Sequence, residues 1–115
     1  MRKFVNIKGR LAKVKAEHAK TFGRKLVGLI LEEKIYPLLF EFHEERKWGF
    51  HTFLVLKPID FVFIDKSKKV TEVKTRVRPF SISIRPQKEV KYVLELPEGM
   101  GNLFSIGEKL NFANN

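Results

Sequence analysis

Apolar and polar positions alternate over much of this chain, with a period of two that marks strands whose one face is buried. In "RLAKVKAEHA" Ala12, Val14 and Ala16 share one side, while Lys13, Lys15 and Glu17 share the other. "VTEVKTRVR" puts Val73, Thr75 and Val77 inward and Glu72, Lys74, Arg76 and Arg78 outward. "EVKYVLEL" places Val90, Tyr92, Leu94 and Leu96 on one side, and "FSISIR" alternates between Pro79 and Pro86. "YPLLFEF" reads as a short strand opened by Pro37, and "IGEKLNF" as a glycine turn with a last strand. One segment has a different period. In "KTFGRKLVGLILEE" Phe22, Leu26, Leu29 and Ile30 recur at helical spacing behind Thr21, a plausible N-cap. The pattern predicts a mainly β domain, a small sandwich or barrel of about seven strands, with one short helix near residues 19–30.

"GFHTFLVLKPIDFVFID", residues 49–65, departs from simple alternation. Phe50, Thr52, Leu54 and Leu56 oppose His51, Phe53 and Val55; Ile59, Phe61 and Phe63 oppose Asp60, Val62 and Ile64. Both faces are apolar in both runs, so the segment reads as core, covered on each side. Pro58 suggests a tight hairpin at "LKPID". Such a turn would set His51 and Asp60 about 13 Å apart, four residues of strand, and a His–Asp base pair would survive only without it. Asp60 is then expected to accept backbone N–H bonds at the turn, and His51 to satisfy one hydrogen bond inside the core.

The chain has 115 residues, which predicts one domain over 1–115. It contains no Cys, which removes disulfides, thiolate nucleophiles and cysteine metal sites, and fits a reducing interior. No stretch approaches the roughly 20 apolar residues of a membrane span, and "MRKFVNIKGR" lacks a signal-peptide apolar run, so a cytoplasmic protein without membrane contact is expected. The net charge is +10, from 23 Lys and Arg against 13 Asp and Glu. It is unevenly spread. Residues 1–27 hold nine cations and residues 66–91 nine more, whereas residues 32–45 carry five Glu and one Lys. Such a surface attracts polyanions without choosing among them. High charge without Cys also suits a thermophile.

The central segment resembles the archaeal form of a family signature, that of uncharacterised protein family 0127, or domain of unknown function 192. Gly49, His51, Thr52, Phe53, Pro58, Ile59, Asp60, Phe63 and Asp65 stand in its Gly-x-His-Thr/Met-Phe and Pro-Ile-Asp-x-x-Phe-Ile-Asp positions. Thr21, Gly28 and Leu29 match an upstream segment, where Lys25 replaces Arg and Ile30 replaces Met. "YVLELPEG" and "IGEKL" resemble downstream segments, with Glu108 for Asp. The likeness spans about residues 11–112. It implies a small β-sandwich or barrel with a short helix and no established activity.

Three functions are compatible with these residues. A non-enzymatic binding module for a small ligand or an acidic protein partner fits the compact core, and His51, Thr52, Asp60, Trp48 and Lys25 are its candidate ligand-binding residues. A polyanion or nucleic-acid site would use Lys74, Arg76 and Arg78 with Arg85, Lys88 and Lys91, although the cations alternate with Val, Thr and Ile rather than with the aromatics of a base-stacking surface. An enzyme would centre on His51 or Asp60. No phosphate-binding glycine loop or nucleophile elbow is present. His43, Glu44 and Glu45 have no second His at helical spacing, so no metal site or cofactor is expected and the non-enzymatic reading is favoured.

Overall fold

In the computed structural model the described residues are 3–21, 36–48, 57–78 and 85–114. They form seven strands: β1 (Phe4–Lys8), β2 (Lys13–Thr21), β3 (Leu38–Arg46), β4 (Ile59–Ile64), β5 (Val70–Val77), β6 (Val90–Pro97) and β7 (Asn111–Asn114). A 3₁₀ turn, Met100–Leu103, lies between β6 and β7. The mainly β architecture is as the alternation predicts. Of the helix expected near residues 19–30, residues 19–21 instead belong to β2, so Thr21 ends a strand, and 22–30 lie outside the described residues. β1 has a pattern too short to stand out in the sequence, with Val5 and Ile7 buried between more exposed neighbours.

The strands make one sheet in the order β5-β4-β6-β3-β2-β1-β7, antiparallel except for β2 beside β3. The sheet curls until its ends meet. Lys69 bridges Lys109, the Val70 amide donates to Glu108 O at 2.9 Å, and the Gly107 and Leu110 amides donate to Val70 O and Lys68 O at 2.7 and 2.8 Å. The segment before β7 therefore joins the start of β5, so the two edge strands are linked at that corner. Glu108 fastens the same corner. Its carboxylate accepts the Ser105 amide at 2.7 Å and, from the β1–β2 loop, the Arg10 amide at 2.8 Å. A Cβ on Gly9 would meet that carboxylate at 2.8 Å, so the loop passes this closely only as glycine.

Curling gives the sheet an inner and an outer apolar face. Val5, Ile7, Val14 and Ala16 pack inside with Leu39, Val62, Ile64, Leu94, Leu96, Phe104 and Leu110. Leu38, Phe40, Phe42, Ile59, Phe61, Phe63, Val90 and Val93 form a second cluster on the outer face of β3, β6 and β4, so Val90 does not share the side of Tyr92, Leu94 and Leu96 as expected. β4 is covered on both sides, and all six of its residues are buried. That accounts for its lack of polar alternation.

β4 is also hydrogen-bonded along both edges, to β5 and β6. The expected hairpin across Pro58 is thus not formed, because the partner of β4 is not the run that precedes it. β5 departs from its sequence pattern as well. Ile59 faces Val77 while Phe61 faces Lys74, so β5 carries one extra residue there; a second irregularity lies between Phe63 and Ile64. One inserted residue turns the following side chains to the other face. Val73 accordingly packs on the inner core and Val77 on the outer cluster, although both were expected inward. Lys74 comes to lie beside Phe61, half-buried, and Thr75 is exposed.

Replacing Leu110 by Ala should lower stability by about 2–4 kcal/mol. Hydrogen exchange of the Val70, Gly107 and Leu110 amides should accelerate more than that of the β3–β6 ladder. Uniform acceleration throughout would show that the closing corner does not open by itself.

Candidate functional site

Asp60 is the buried acid at one end of the barrel, 0% exposed. It falls opposite the extra residue of β5, where the ladder offers no partner to Arg76. Its Oδ1 accepts the Arg76 amide at 2.9 Å. Its Oδ2 accepts the Gly99 and Gly101 amides at 2.9 and 2.7 Å. One carboxylate thereby satisfies three backbone donors from two segments, a strong arrangement because each bond is charge-assisted. Arg76 has φ 55°, left-handed for a non-glycine residue, and Gly99 has φ 96°. A Cβ on Gly101 would stand 2.8 Å from Oδ2 and 3.0 Å from the Asp60 Cβ. Glycine is required there by space, at Gly99 by conformation.

The clamp fixes what lies above it. Thr75, Arg76, Glu98, Gly99 and Asn102 line an open polar depression of about 520 Å³. The Arg76 side chain is 79% exposed, and its Nε donates to Glu98 Oε2 at 2.9 Å. Holding a left-handed arginine costs about 1–3 kcal/mol, so the surrounding structure must impose it. The three bonds to Asp60 do so.

A second buried acid, Glu95, is 2% exposed and lies on the outer face. Its cross-strand neighbours are Phe61 on β4 and Leu38 on β3. No hydrogen bond or ion pair joins it to any side chain among the described residues. Burial alone pushes its carboxyl from 4.5 up to about 8.

The other expected residues are dispersed. Lys74 pairs with Glu72 at 3.5 Å on the outer face. The Lys91 Nζ donates to Phe42 O and lies 4.0 Å from Glu41. Arg78, Arg85 and Lys88 are exposed. Lys74, Arg76 and Arg78 do not form one strand face, because the bulge separates the orientation of Lys74 from that of Arg76. Trp48 is half-buried, stacked on Phe42 at 4.8 Å with Nε1 donating to Glu44 O at 3.0 Å. The Arg46 guanidinium lies 5.6 Å over its ring. Lys25, His51 and Thr52 lie outside the described residues. Asp60 accepts backbone amides as expected, but from β5 and the turn after β6 rather than from its own turn. Sequence reasoning missed Glu95. The available signal was a lone carboxyl between Leu94 and Leu96, in a strand whose other face also carries Val93.

Together, the curled seven-stranded sheet and the clamp define a small β-barrel-like module of uncharacterised type. The chain belongs to the family of domain of unknown function 192, described as uncharacterised, whose model matches residues 3–112. A Pyrococcus abyssi member of uncharacterised protein family 0127 is 33% identical over 102 residues, 85% of this chain and 86% of that protein. A Thermococcus sibiricus member is 30% identical over 110 residues, 91% and 70% respectively. Among solved structures, a Sinorhizobium meliloti protein described provisionally as a transcription regulator superposes with a TM-score of 0.83 at 22% identity, covering 97% of this chain and 94% of that one. A Novosphingobium aromaticivorans protein of unknown function gives 0.80 at 18%, covering 94% and 83%. Both share the fold. Among the described residues no helix is long and apolar enough to cross a membrane.

Asp60→Ala should cost about 3 kcal/mol or more, since it strands one buried and two part-buried amides, and Gly101→Ala about 1–3 kcal/mol. Urea unfolding measures both; wild-type midpoints would refute the clamp. Glu95 gives a pH signature. A carboxyl raised in the folded state contributes fully below its ordinary value of 4.5, and that contribution is lost as pH rises through about 8. Stability should therefore decline between about pH 5 and 8. Glu95→Gln should flatten that decline in urea midpoints taken across the range.

Proposed function

We propose that this protein is a non-enzymatic binding module that takes an acidic group, from a small ligand or a partner protein, in the depression at Arg76. The reading rests on one observation: a buried carboxylate holds a left-handed arginine over an open polar recess. Strained backbone concentrates where a side chain must be aimed, and a bulge is a common device for aiming it. The guanidinium presents a planar fork suited to a carboxylate. Glu98 occupies part of that fork, as an internal stand-in for the incoming acid. Thr75 and Asn102 add neutral hydrogen-bonding groups beside it. Asp60 serves as the support, because both of its oxygens are engaged by backbone amides.

A polyanion contact is the second reading. It draws on the exposed Arg78, Arg85 and Lys88 and on the description given to the Sinorhizobium meliloti protein, whose likeness at 22% identity carries the fold alone.

The test is a titration of amide chemical shifts with glutarate, inorganic phosphate, an oligoglutamate peptide and single-stranded DNA. Shifts should concentrate at Thr75, Arg76, Gly99 and Asn102. Arg76→Ala should weaken glutarate or peptide binding at least tenfold, and Glu98→Gln should strengthen it several-fold. No shift with any acid would sink the proposal. DNA binding that survives Arg76→Ala and falls steeply with salt would favour the polyanion reading instead.

A further inference from the structure

The turn between β4 and β5, residues 65–69, carries Lys66, Lys68 and Lys69, and the closing seam brings Lys109 up to it. Lys66, Ser67, Lys68, Lys109, Leu110 and Asn111 line an open recess of about 630 Å³ at this place. The recess lies at the start of β5, whereas Arg76 lies near its end, about 20 Å away along the strand.

Like charges stand opposite each other across the seam, because Lys69 bridges Lys109. Such a cross-strand pair is unfavourable. Acids are close by in the chain, yet the fold commits them to backbone amides. Asp65 Oδ1 accepts the Ser67 and Lys69 amides at 2.9 and 3.0 Å. Glu45 Oε2 accepts the Lys66 amide at 2.8 Å. Glu108 accepts the amides of Ser105 and Arg10. These carboxylates soften the local potential. Among the described residues, none of them forms an ion pair with Lys66, Lys68, Lys69 or Lys109.

The recess is shaped as well as charged. Lys68 has φ 67°, left-handed for a non-glycine residue, and its amide donates to Asp65 O at 2.9 Å. Its ammonium lies 5.1 Å over the Phe112 ring, which meets Tyr92 edge-on at 5.0 Å. A strained turn and a ring thus hold one long side chain in place, which lowers the entropy lost when it binds. Leu110, 3% exposed, is the apolar part of the lining. Ser67 and Asn111 are exposed and add a hydroxyl and a carboxamide. Neither side chain is hydrogen-bonded among the described residues.

Three ammonium groups, a hydroxyl and a carboxamide around one space suit a compact anion with several acceptor oxygens. A phosphate monoester carries about −1.5 to −2 charges near neutral pH and has three such oxygens. A carboxylate has a single charge and fewer acceptors. Lysine meets phosphate as a mobile point charge, whereas the planar fork of Arg76 suits a carboxylate. The recess is larger than phosphate alone would fill, which leaves room for an organic body bearing it.

We propose that this recess is a site for the phosphate group of a small molecule. Lys66, Lys68 and Lys109 are its counter-ions, and Ser67 and Asn111 its neutral hydrogen-bonding partners. The bound group also offsets the repulsion between Lys69 and Lys109, so binding fastens the seam that closes the barrel. Nothing in this inference depends on the Arg76 reading, and each can fail alone.

Amide chemical shifts followed during titration at about 50 mM salt test the site, since a surface charge contact is weakly screened there. The probes are ribose 5-phosphate, ribose, inorganic phosphate and glutarate. Ribose 5-phosphate should move the amides of Ser67, Lys68, Lys109 and Asn111, and ribose should not. Inorganic phosphate should move the same amides with lower affinity; equal affinity would keep the phosphate site and overturn the organic body. Lys66→Gln and Lys109→Gln should each weaken ribose 5-phosphate about three- to fivefold, and together about tenfold or more. Lys109→Gln should also raise the urea midpoint without ligand, because it removes the charge facing Lys69. Three outcomes would overturn the site: no shift at these amides up to about 20 mM ribose 5-phosphate, equal affinity for glutarate, or unchanged affinity in the folded double variant. Single-stranded DNA that moves Arg78, Arg85 and Lys88 together with these amides would replace it with an extended polyanion surface.

Discussion

The carboxylate of Asp60 holds three backbone amides, that of Gly101 buried and those of Arg76 and Gly99 part-buried, which would otherwise lack this acceptor. Its effect is larger than three local bonds. One amide belongs to the bulge of β5 and two to the turn that leaves β6, so a single side chain on β4 ties together the strands on both of its edges. An unmade bond at this depth would cost the full desolvation of the amide, and a neutral acceptor would hold each one less strongly. The bulge, the left-handed Arg76 and the tight passage at Gly101 are mutually dependent for this reason. If any one relaxes, the other two lose what keeps them in place.

The opposite corner of the barrel uses the same device. Glu108 accepts the amides of Ser105 and Arg10, and it joins the loop after the 3₁₀ turn to the β1–β2 loop. The two acids differ in burial and setting. Asp60 is sealed among strands, whereas Glu108 lies at a partly exposed corner. Glu95 contrasts with both: among the described residues it has no amide to accept and no cation beside it. These three acids thus show three treatments of charge: Asp60 is consumed by the backbone, Glu108 fastens a seam, and Glu95 has no partner among the described residues.

Much of the architecture was legible in the sequence. Ala12, Val14 and Ala16 alternate as expected and are buried, and Tyr92, Leu94 and Leu96 share the inner core. What escaped was information that local period does not carry. The face of Val77 depends on one inserted residue opposite Asp60, and the sequence of β5 alternates straight through it. The partners of β4 are β5 and β6, which follow it in the chain, and Pro58 gave no hint of that choice. β1 was too short to register. For the candidate sites, Asp60 was expected to bond amides, but its partners were set by tertiary approach. Glu95 was hidden because a charged letter in an alternating strand reads as solvent-facing, and only a sheet covered on both faces contradicts that. His51, Thr52 and Lys25 fall outside the described residues.

The seam between Lys69 and Lys109, with β7 beside β1, has a kinetic consequence. Val5 pairs with Asn114, so the outer edge of β1 waits for β7, far along the chain, before it is satisfied. Contacts this remote along the chain slow folding, because the loop must close before any bond rewards it. During synthesis β1 and β2 would stand as an antiparallel pair with both outer edges bare until β3 and β7 join, and nascent chains in that condition are prone to associate edge to edge. Lys3, Lys8, Lys13 and Lys15 lie on or beside this pair. Their mutual repulsion would oppose that association between neighbouring copies until β7 pairs with β1.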